Sequence, residues 1–165
     1  MKLVPIRLPV VVKVLGIESG GIEIVARLLD ETLRDVELIA VSRDAALLAR
    51  CALGVKIHYK ARDYDRSARP DPDGALEQAL KNADLIVVAI SEFDEPDIVP
   101  AIRAIARRMG VLVTAVASFP STFAGRGASS EDRERRLRVL REGVDSLLLM
   151  QEETALYEIL TALGA

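Results

Sequence analysis

The stretch VVVKVLGIESGG, from Val10 to Gly21, joins an apolar run directly to a glycine-containing turn. Its first part, Val10–Gly16, is rich in valine and hardly alternates with polar residues, which is typical of a parallel strand covered on both faces. A helical pattern of apolar positions follows, from Gly21 to Leu33. A strand, a glycine turn and a helix in this order form the first half of an α/β unit, and the turn between them resembles a phosphate-binding loop.

The same alternation of strand and helix continues along the chain. Five more strand-like runs follow the first: Val36–Val41, Val55–Tyr59, Asp84–Ile90, Val111–Ala117 and Val144–Met150. The helical patterns are Gly21–Leu33, Asp44–Leu53, Gly74–Ala83, Asp97–Met109, Ser130–Glu142 and Thr154–Leu163. Six such repeats predict a three-layer, Rossmann-like, doubly wound α/β fold with about six parallel strands. Two halves of three strands each predict the strand order 3-2-1-4-5-6.

The length of 165 residues predicts a single domain spanning residues 1–165. Within it, residues 1–9 are expected to form an N-terminal extension. Residues 60–73 are expected to form a long loop, because they contain two prolines, Pro70 and Pro72, and no apolar periodicity.

Composition narrows the possible classes of function. The net charge of -3 provides no basic field for nucleic acid or an anionic membrane surface. Since no apolar run approaches the ~20 residues of a membrane span, we expect a cytoplasmic protein without membrane insertion. The single cysteine, Cys51, excludes an internal disulfide framework and a multi-cysteine zinc site.

Four segments resemble, in chain order, parts of one known family. They are Val12–Ile17, Val36–Ala45, Pro120–Arg126 (PSTFAGR) and Val144–Leu149 (VDSLLL). These segments are similar to the opening strands, the PFTFEGR loop and the VDTLIV strand of FtsZ, the bacterial relative of tubulin. The resemblance runs from about Val11 to Leu156. It implies the N-terminal nucleotide-binding domain of the FtsZ/tubulin family, which binds GTP and polymerises head to tail, here without the family's second domain.

The resemblance also implies where a nucleotide site would lie. Ligands of such folds bind at the carboxyl ends of the strands, beside the first strand. Eight residues match the family's nucleotide-contact positions or their surroundings and are predicted remnants of that site: Gly16, Gly20, Gly21, Asp44, Thr122, Gly125, Arg126 and Glu152. Asp44 has a second explanation as the N-cap of the following helix.

Other matched positions depart from the family's pattern. Glu18 replaces a glycine of the first loop, and we expect its carboxylate to bind the N-terminus of the following helix in place of a phosphate. The fourth loop, from Ser91 to Asp97, reads SEFDEPD where the family has a GGGTGSG-type signature. Its four carboxylates could coordinate a hard cation, but we interpret them as surface charges favoured by a helix dipole. Ala124 replaces the family's ribose-contacting glutamate. Gln151 begins the segment that replaces the family's Pro-Asn-Asp, whose asparagine helps to read guanine.

No catalytic or metal-binding residue is assigned from the sequence. The only histidine, His58, is not accompanied by a Gly-x-Ser-x-Gly elbow. The dinucleotide fingerprint fails at Glu18 and at Ser42. The family is a GTPase, but replacement of the phosphate loops argues against catalysis.

The leading hypothesis is an FtsZ-like protein with a degenerate GTP site. It would act as a non-hydrolysing interaction or assembly module related to cell division or the cytoskeleton, with protein partners or self-association. No cofactor is expected, although the resemblance implies GTP or GDP as the ligand. One alternative is a nucleotide-binding protein in which Arg43, Arg69 and Arg126 replace the missing backbone amides. Another is an engineered or simplified domain of this type.

Overall fold

Each strand-like run of the sequence forms a strand of one sheet in the computed structural model, which describes residues 10–60, 74–119, 130–151 and 155–163. The strands are β1 (Val12–Ile17), β2 (Val36–Ser42), β3 (Val55–His58), β4 (Leu85–Ser91), β5 (Leu112–Ser118) and β6 (Ser146–Met150). All neighbouring strands are parallel, in the order β3-β2-β1-β4-β5-β6. The predicted α/β class and strand order are therefore confirmed.

Helices cover both faces of this sheet. They are α1 (Glu18–Ala26), α2 (Ala45–Arg50), α3 (Ala75–Leu80), α4 (Val99–Met109), α5 (Ser130–Gly143) and α6 (Ala155–Ala162), with a short 3-10 helix at Arg27–Asp30. One face of the sheet packs against α3, α4 and α5, and the other packs against α1, α2 and α6. Strands buried on both faces explain the near-continuous apolar runs of the sequence.

Several boundaries differ from the sequence-based expectation. Helix α1 begins at Glu18 rather than Gly21, directly after β1. Helix α4 begins at Val99 rather than Asp97 and has Pro100 in its first turn, where the missing N–H of proline has no helical partner to lose. Strand β6 begins at Ser146 because the preceding Asp145 turns its carboxylate onto the N–H of Val113 at the start of β5.

The strand order brings three loops together at the carboxyl edge of the sheet. Gly16 in β1 pairs with Ala40 in β2 on one side and with Ala89 in β4 on the other. The loops that follow β1, β2 and β4 therefore meet beside the N-terminus of α1. This is the switch point where ligands of doubly wound folds bind.

Candidate functional site

A carboxylate of the protein occupies the N-terminus of α1. Asp94 Oδ1 accepts a hydrogen bond from the Gly20 N–H at 3.1 Å, and Oδ2 accepts one from the Gly21 N–H at 3.0 Å. Oδ2 also accepts from the Ser91 N–H at 2.8 Å. Unpaired N–H groups in the first turn of a helix form a natural anion site, and here that anion is the Asp94 side chain.

Burial sets the protonation behaviour of Asp94, which is 4% exposed. Desolvation raises the pKa of this carboxyl above its ordinary value, while hydrogen bonds from Ser91, Gly20 and Gly21 act in the opposite direction. The three backbone N–H groups can only donate, so they suit an ionised carboxylate with two accepting oxygens. The sequence correctly predicts that a carboxylate of the protein binds the N-terminus of this helix. The predicted residue, Glu18, is wrong, because Asp94 fills the position.

Glu18 instead reaches sideways to the ends of β2 and β3. Its Oε2 accepts from the Ser42 hydroxyl at 2.7 Å. Its Oε1 accepts from the Arg43 N–H at 3.1 Å and from the Tyr59 hydroxyl at 2.6 Å. Its backbone lies in the left-handed region, at φ 55°. Both carboxylate oxygens are engaged by groups at the ends of β2 and β3, so Glu18 does not bind the N-terminus of its own helix.

Two further groups extend the Glu18 cluster. The Arg43 guanidinium lies 3.7 Å from Glu18 and 3.8 Å from Asp97. The Tyr59 hydroxyl is also 3.4 Å from Asp97. Burial, then the hydrogen bond to Glu18, raises the pKa of Tyr59, so its hydroxyl stays protonated as a donor. The cluster joins the loops after β1, β2, β3 and β4 through side chains.

Helix α5 fixes the loop after β4 from the other side. The Arg136 guanidinium donates to the Glu92 carbonyl at 2.9 Å and to the Glu95 carboxylate at 3.0 Å. Arg135 also donates to Glu95, at 3.0 Å. Burial alone would raise the pKa of Glu95, but the bonds from Arg135 and Arg136 together hold that pKa below its ordinary value.

The acidic loop is therefore not a set of surface charges, and that part of the sequence interpretation is wrong. Glu92 is 2% exposed and Asp94 is 4% exposed. The local sequence does not show that α1 supplies hydrogen-bond donors to Asp94 and that α5 supplies one to Glu92, because both helices lie far from this loop along the chain.

The three glycines predicted as site remnants are held by close packing. A Cβ on Gly16 would lie 2.7 Å from the Gly21 carbonyl oxygen, and one on Gly21 would lie 2.2 Å from the Ala89 carbonyl oxygen. A Cβ on Gly20 would lie 2.6 Å from Asp94 Oδ2. The close approach of α1 to β1 and β4 thus requires glycine here without reference to a ligand.

The structure brings together four of the eight predicted site residues. Gly16, Gly20, Gly21 and Asp44 lie at the same edge of the sheet, and Asp44 caps α2 by accepting from the Ala46 and Leu47 N–H groups at 2.9 and 3.2 Å. The other four lie outside the described residues: Thr122, Gly125, Arg126 and Glu152. Arg69, which one alternative requires, also lies outside them.

Sequence reasoning missed Asp94 as a ligand of α1, and it missed Ser42 and Tyr59 as partners of Glu18. The signal for Asp94 was present in the predicted strand order. Because β4 lies beside β1, a carboxylate three residues after β4 faces the first turn of α1. No comparable local signal marks Tyr59, which reads as an ordinary aromatic residue at the end of a strand.

Two shallow depressions remain at this edge, on either side of Phe93. One, of about 270 Å³, is lined by residues that include Ser19, Glu23 and Ser118. The other, of about 210 Å³, is lined by residues that include Arg43 and Asp44. Among the described residues, no group of three or more histidine, cysteine, aspartate or glutamate side chains is placed to hold a metal ion.

Comparisons with known proteins agree with this fold. The chain is 27% identical to cell division protein FtsZ from Neisseria meningitidis serogroups A and B, over 94% of its own length and 42% of theirs. It superposes on the empty FtsZ dimer structure from M. jannaschii with a TM-score of 0.69, at 20% identity, covering 92% of this chain and 48% of that one. The chain is FtsZ-like in sequence and in fold.

Further FtsZ-type structures show the same fold as this FtsZ-like chain. The W319Y mutant of M. jannaschii FtsZ gives a TM-score of 0.67 at 17% identity, covering 93% of this chain and 54% of that one. CetZ from Methanosaeta thermophila gives 0.61 at 16% identity, covering 93% and 51%. No protein-family model matches the chain. The FtsZ-like chain spans less than half the length of the curated relatives it matches.

Within residues 10–60, 74–119, 130–151 and 155–163, no helix of this FtsZ-like chain combines the length and the hydropathy that crossing a bilayer requires.

Proposed function

We propose that this FtsZ-like chain neither binds nor hydrolyses GTP and serves as an interaction or assembly module, in the cytoplasm, in a process related to cell division or the cytoskeleton. The observation that carries the proposal is the Asp94 carboxylate on the N–H groups of Gly20, Gly21 and Ser91. An internal anion there takes the donors that a phosphate would use.

Electrostatics at the carboxyl edge supports the same conclusion. A phosphate would have to displace Asp94 and then share the edge with Glu18 and the displaced carboxylate. Like charges a few ångströms apart in a partly desolvated site cost on the order of a few kcal/mol. Of the described residues lining the two depressions, Arg43 is the only basic one, and it already contacts Glu18 and Asp97.

Isothermal titration calorimetry with GTP and GDP, each with Mg²⁺, tests the proposal directly. We expect no saturable heat with the wild-type chain and no rise of Tm with added nucleotide, since a ligand that binds the folded state would raise Tm. The matched variant Asp94→Ala removes the internal anion and leaves the N–H groups of Gly20, Gly21 and Ser91 free to donate to an external anion.

Micromolar affinity of the wild-type chain for either nucleotide would overturn the proposal. It would favour the alternative in which altered loops still accept a nucleotide. In that case Asp94→Ala should tighten binding, and Arg43→Ala should weaken it. A phosphate-release assay on the same samples separates nucleotide binding from hydrolysis.

A further inference from the structure

Strand β6 forms an open edge of the sheet. It is the last strand in the order β3-β2-β1-β4-β5-β6, and within the described residues β5 is its only strand neighbour. Leu148 and Leu149 in this strand are 44% and 47% exposed. The whole strand, Ser146–Met150, contains no charged residue and no proline. An unpaired edge of this composition is a template for pairing with another strand.

Strand β3, at the other edge of the sheet, differs in this respect. It has four residues, and two of them, Lys56 and His58, are exposed polar residues. A lysine on a short edge strand opposes pairing, because an approaching strand would have to desolvate the ammonium group. Strand β6 carries no such charge, so it is the edge that suits a further strand.

The ladder between β5 and β6 determines which backbone groups of β6 point outward. The Asp145 N–H donates to the Val113 carbonyl at 2.9 Å, so the backbone groups of Asp145 face β5. Along a regular strand, the N–H and C=O groups of successive residues point to alternate sides. The outward groups of β6 therefore belong to Ser146, Leu148 and Met150.

A second copy of the same strand can pair with all of these outward groups. In an antiparallel pair centred on Leu148, the two Leu148 residues exchange two hydrogen bonds across a two-fold axis. Ser146 of each copy exchanges two more with the residue opposite it, Met150 of the other copy. No outward N–H or C=O group of either strand is left unpaired in this register.

The same register places leucine opposite leucine on both faces of the sheet. Met150 lies in the core cluster beside α1, α2 and α6, whereas Leu147 packs against the cluster beside α3, α4 and α5. Since side chains alternate along a strand, Leu148 lies on the face of Met150 and Leu149 on the face of Leu147. Leu148 then meets Leu148 on one face, and Leu149 meets Leu147 on the other. Such apolar cross-strand pairs are stabilising, and no like charges meet.

We infer that two copies of this chain join through β6 into one continuous sheet, with a two-fold axis at Leu148. The contact is isologous, so it closes at two copies and does not extend into a filament. It lies at the lateral edge of the sheet and uses none of the candidate-site residues. The inference rests on the interaction role proposed above and names the contact surface and the partner.

The size of the contact sets its expected strength. A pair of five-residue strands buries less than the ~800 Å² per partner of a standard stable interface. The dimer is therefore expected to be weak, with a dissociation constant on the order of 10–100 μM.

Sedimentation velocity of the full 165-residue chain without nucleotide, over a concentration series, tests the contact. We expect a monomer–dimer equilibrium without larger species and with little dependence on salt, because no ion pair holds the contact. Leu148→Lys places two ammonium groups opposite each other at the two-fold axis. It should raise the dissociation constant by about tenfold or more.

Leu29→Lys is the matched control. Leu29 is 46% exposed, close to the value for Leu148, and it lies in the 3-10 helix that precedes β2, in the half of the sheet away from β6. This variant should dimerise like the wild type. Far-UV circular dichroism should show that both lysine variants fold.

Disulfide trapping tests the register. Cys51→Ser removes the only cysteine of the chain, and Leu148→Cys is then introduced into that background. Residues directly opposite each other in a hydrogen-bonded antiparallel pair have Cα atoms about 5.5 Å apart, within the range that a disulfide spans. We expect mild oxidation to trap a covalent dimer through Cys51→Ser/Leu148→Cys protein. Leu29→Cys in the same background should trap much less.

Wild-type protein that stays monomeric at about 1 mM, well above the expected dissociation constant, would overturn the inference. Leu148→Lys protein that dimerises like the wild type would also overturn it, as would trapping through Leu148→Cys that is no greater than through Leu29→Cys. Any of these results, found together with the absence of nucleotide binding in calorimetry, would leave the nucleotide part of the proposed function intact. Conversely, nucleotide binding would overturn that part alone, because the β6 contact is measured without nucleotide.

Discussion

Glu18 combines a strained backbone with a fully engaged carboxylate. Its left-handed backbone, at φ 55°, is uncommon for a residue other than glycine and costs roughly 1–2 kcal/mol. Hydrogen bonds from Ser42, Arg43 and Tyr59 to its carboxylate offset that cost. The glycine that the family resemblance implies at this position would adopt the same backbone without strain. The turn between β1 and α1 is thus held by side-chain contacts of Glu18.

Gly21 makes the packing requirement at this loop testable. Gly21→Ala should lower the free energy of unfolding by about 2–4 kcal/mol, since its Cβ would lie 2.2 Å from the backbone oxygen of Ala89 and α1 would have to move away from β4. Urea denaturation followed by circular dichroism measures the change.

Gly54→Ala is the matched control. A Cβ on Gly54 meets no atom of the described residues within 4 Å. The free energy of unfolding of this variant should lie within about 0.5 kcal/mol of the wild-type value or be slightly higher. Equal stability of the two alanine variants would contradict the packing explanation for Gly21.

The residues of the candidate site were predictable to different degrees. Asp44 was assigned as a helix cap from local sequence alone, and the structure confirms it. The assignment of an anion to α1 needed only the glycine turn and the helix dipole, but the choice between Glu18 and Asp94 depended on which side chain could reach the helix axis. That choice rests on partners from distant parts of the chain, Ser42 and Tyr59 for Glu18 and the α1 N–H groups for Asp94, which no local pattern specifies.

Asp145 connects several elements of the fold. Its Oδ2 accepts from the Val113 N–H at 2.8 Å, and its Oδ1 accepts from Arg103 in α4 at 3.2 Å. The hydrogen bond from Val113, and then the contact with Arg103, lower the pKa of Asp145 below its ordinary value of 3.8. One carboxylate therefore ties the turn before β6 to the start of β5 and to α4.

The lowered pKa of Asp145 predicts a pH dependence of stability. The stabilisation is fully present above the unfolded value of 3.8 and is lost as the pH falls through the lower folded pKa. Asp145→Asn should therefore cost about 1–3 kcal/mol near neutral pH, with a smaller difference from the wild type below pH 3.8. Urea unfolding of both proteins at neutral pH and below pH 3.8 measures this difference in the free energy of unfolding.

Glu158→Gln, at an exposed position of α6, serves as the control for Asp145→Asn. It should change stability little at either pH. A difference between Asp145→Asn and the wild type that persists undiminished in acid would exclude the carboxylate charge as its cause.

The sequence predicts where the strands and helices lie better than it predicts the residues at which they begin and end. Apolar runs of Val, Ile and Leu predicted all six strands, because strands covered on both faces have few polar positions. The ends depend on tertiary contacts that local patterns do not contain. The start of β6 depends on Asp145 reaching Val113, and the early start of α1 depends on the tight turn at Glu18.

At the scale of the whole molecule, the two halves of the core lie on opposite faces of one sheet and share β1, β2, β4, β5 and β6. Alternate residues of β1 face opposite sides, with Val12 and Val14 in one cluster and Leu15 and Ile17 in the other. Loss of either helical layer would expose one face of every central strand. We therefore predict that residues 1–165 unfold as one cooperative domain.

Coincident transitions in far-UV circular dichroism and tyrosine fluorescence would support this single domain. Circular dichroism reports on the helices of both layers, whereas tyrosine fluorescence reports on the surroundings of tyrosines that include Tyr59, in the core cluster beside α3, and Tyr157, on α6 on the other face. Two separated midpoints would show instead that the layers unfold independently.

The Asp94 contact has a consequence for how this molecule responds to its surroundings. Asp94 lies three residues from Ser91 on the same chain, so it meets the α1 N–H groups at a high effective concentration that no change in the cell can dilute. A soluble ligand occupies its site only in proportion to its supply. Under the proposed function, the helix end and the loop after β4 would stay joined whether the nucleotide pool is full or exhausted. A module built this way would keep the same surface through starvation and growth alike.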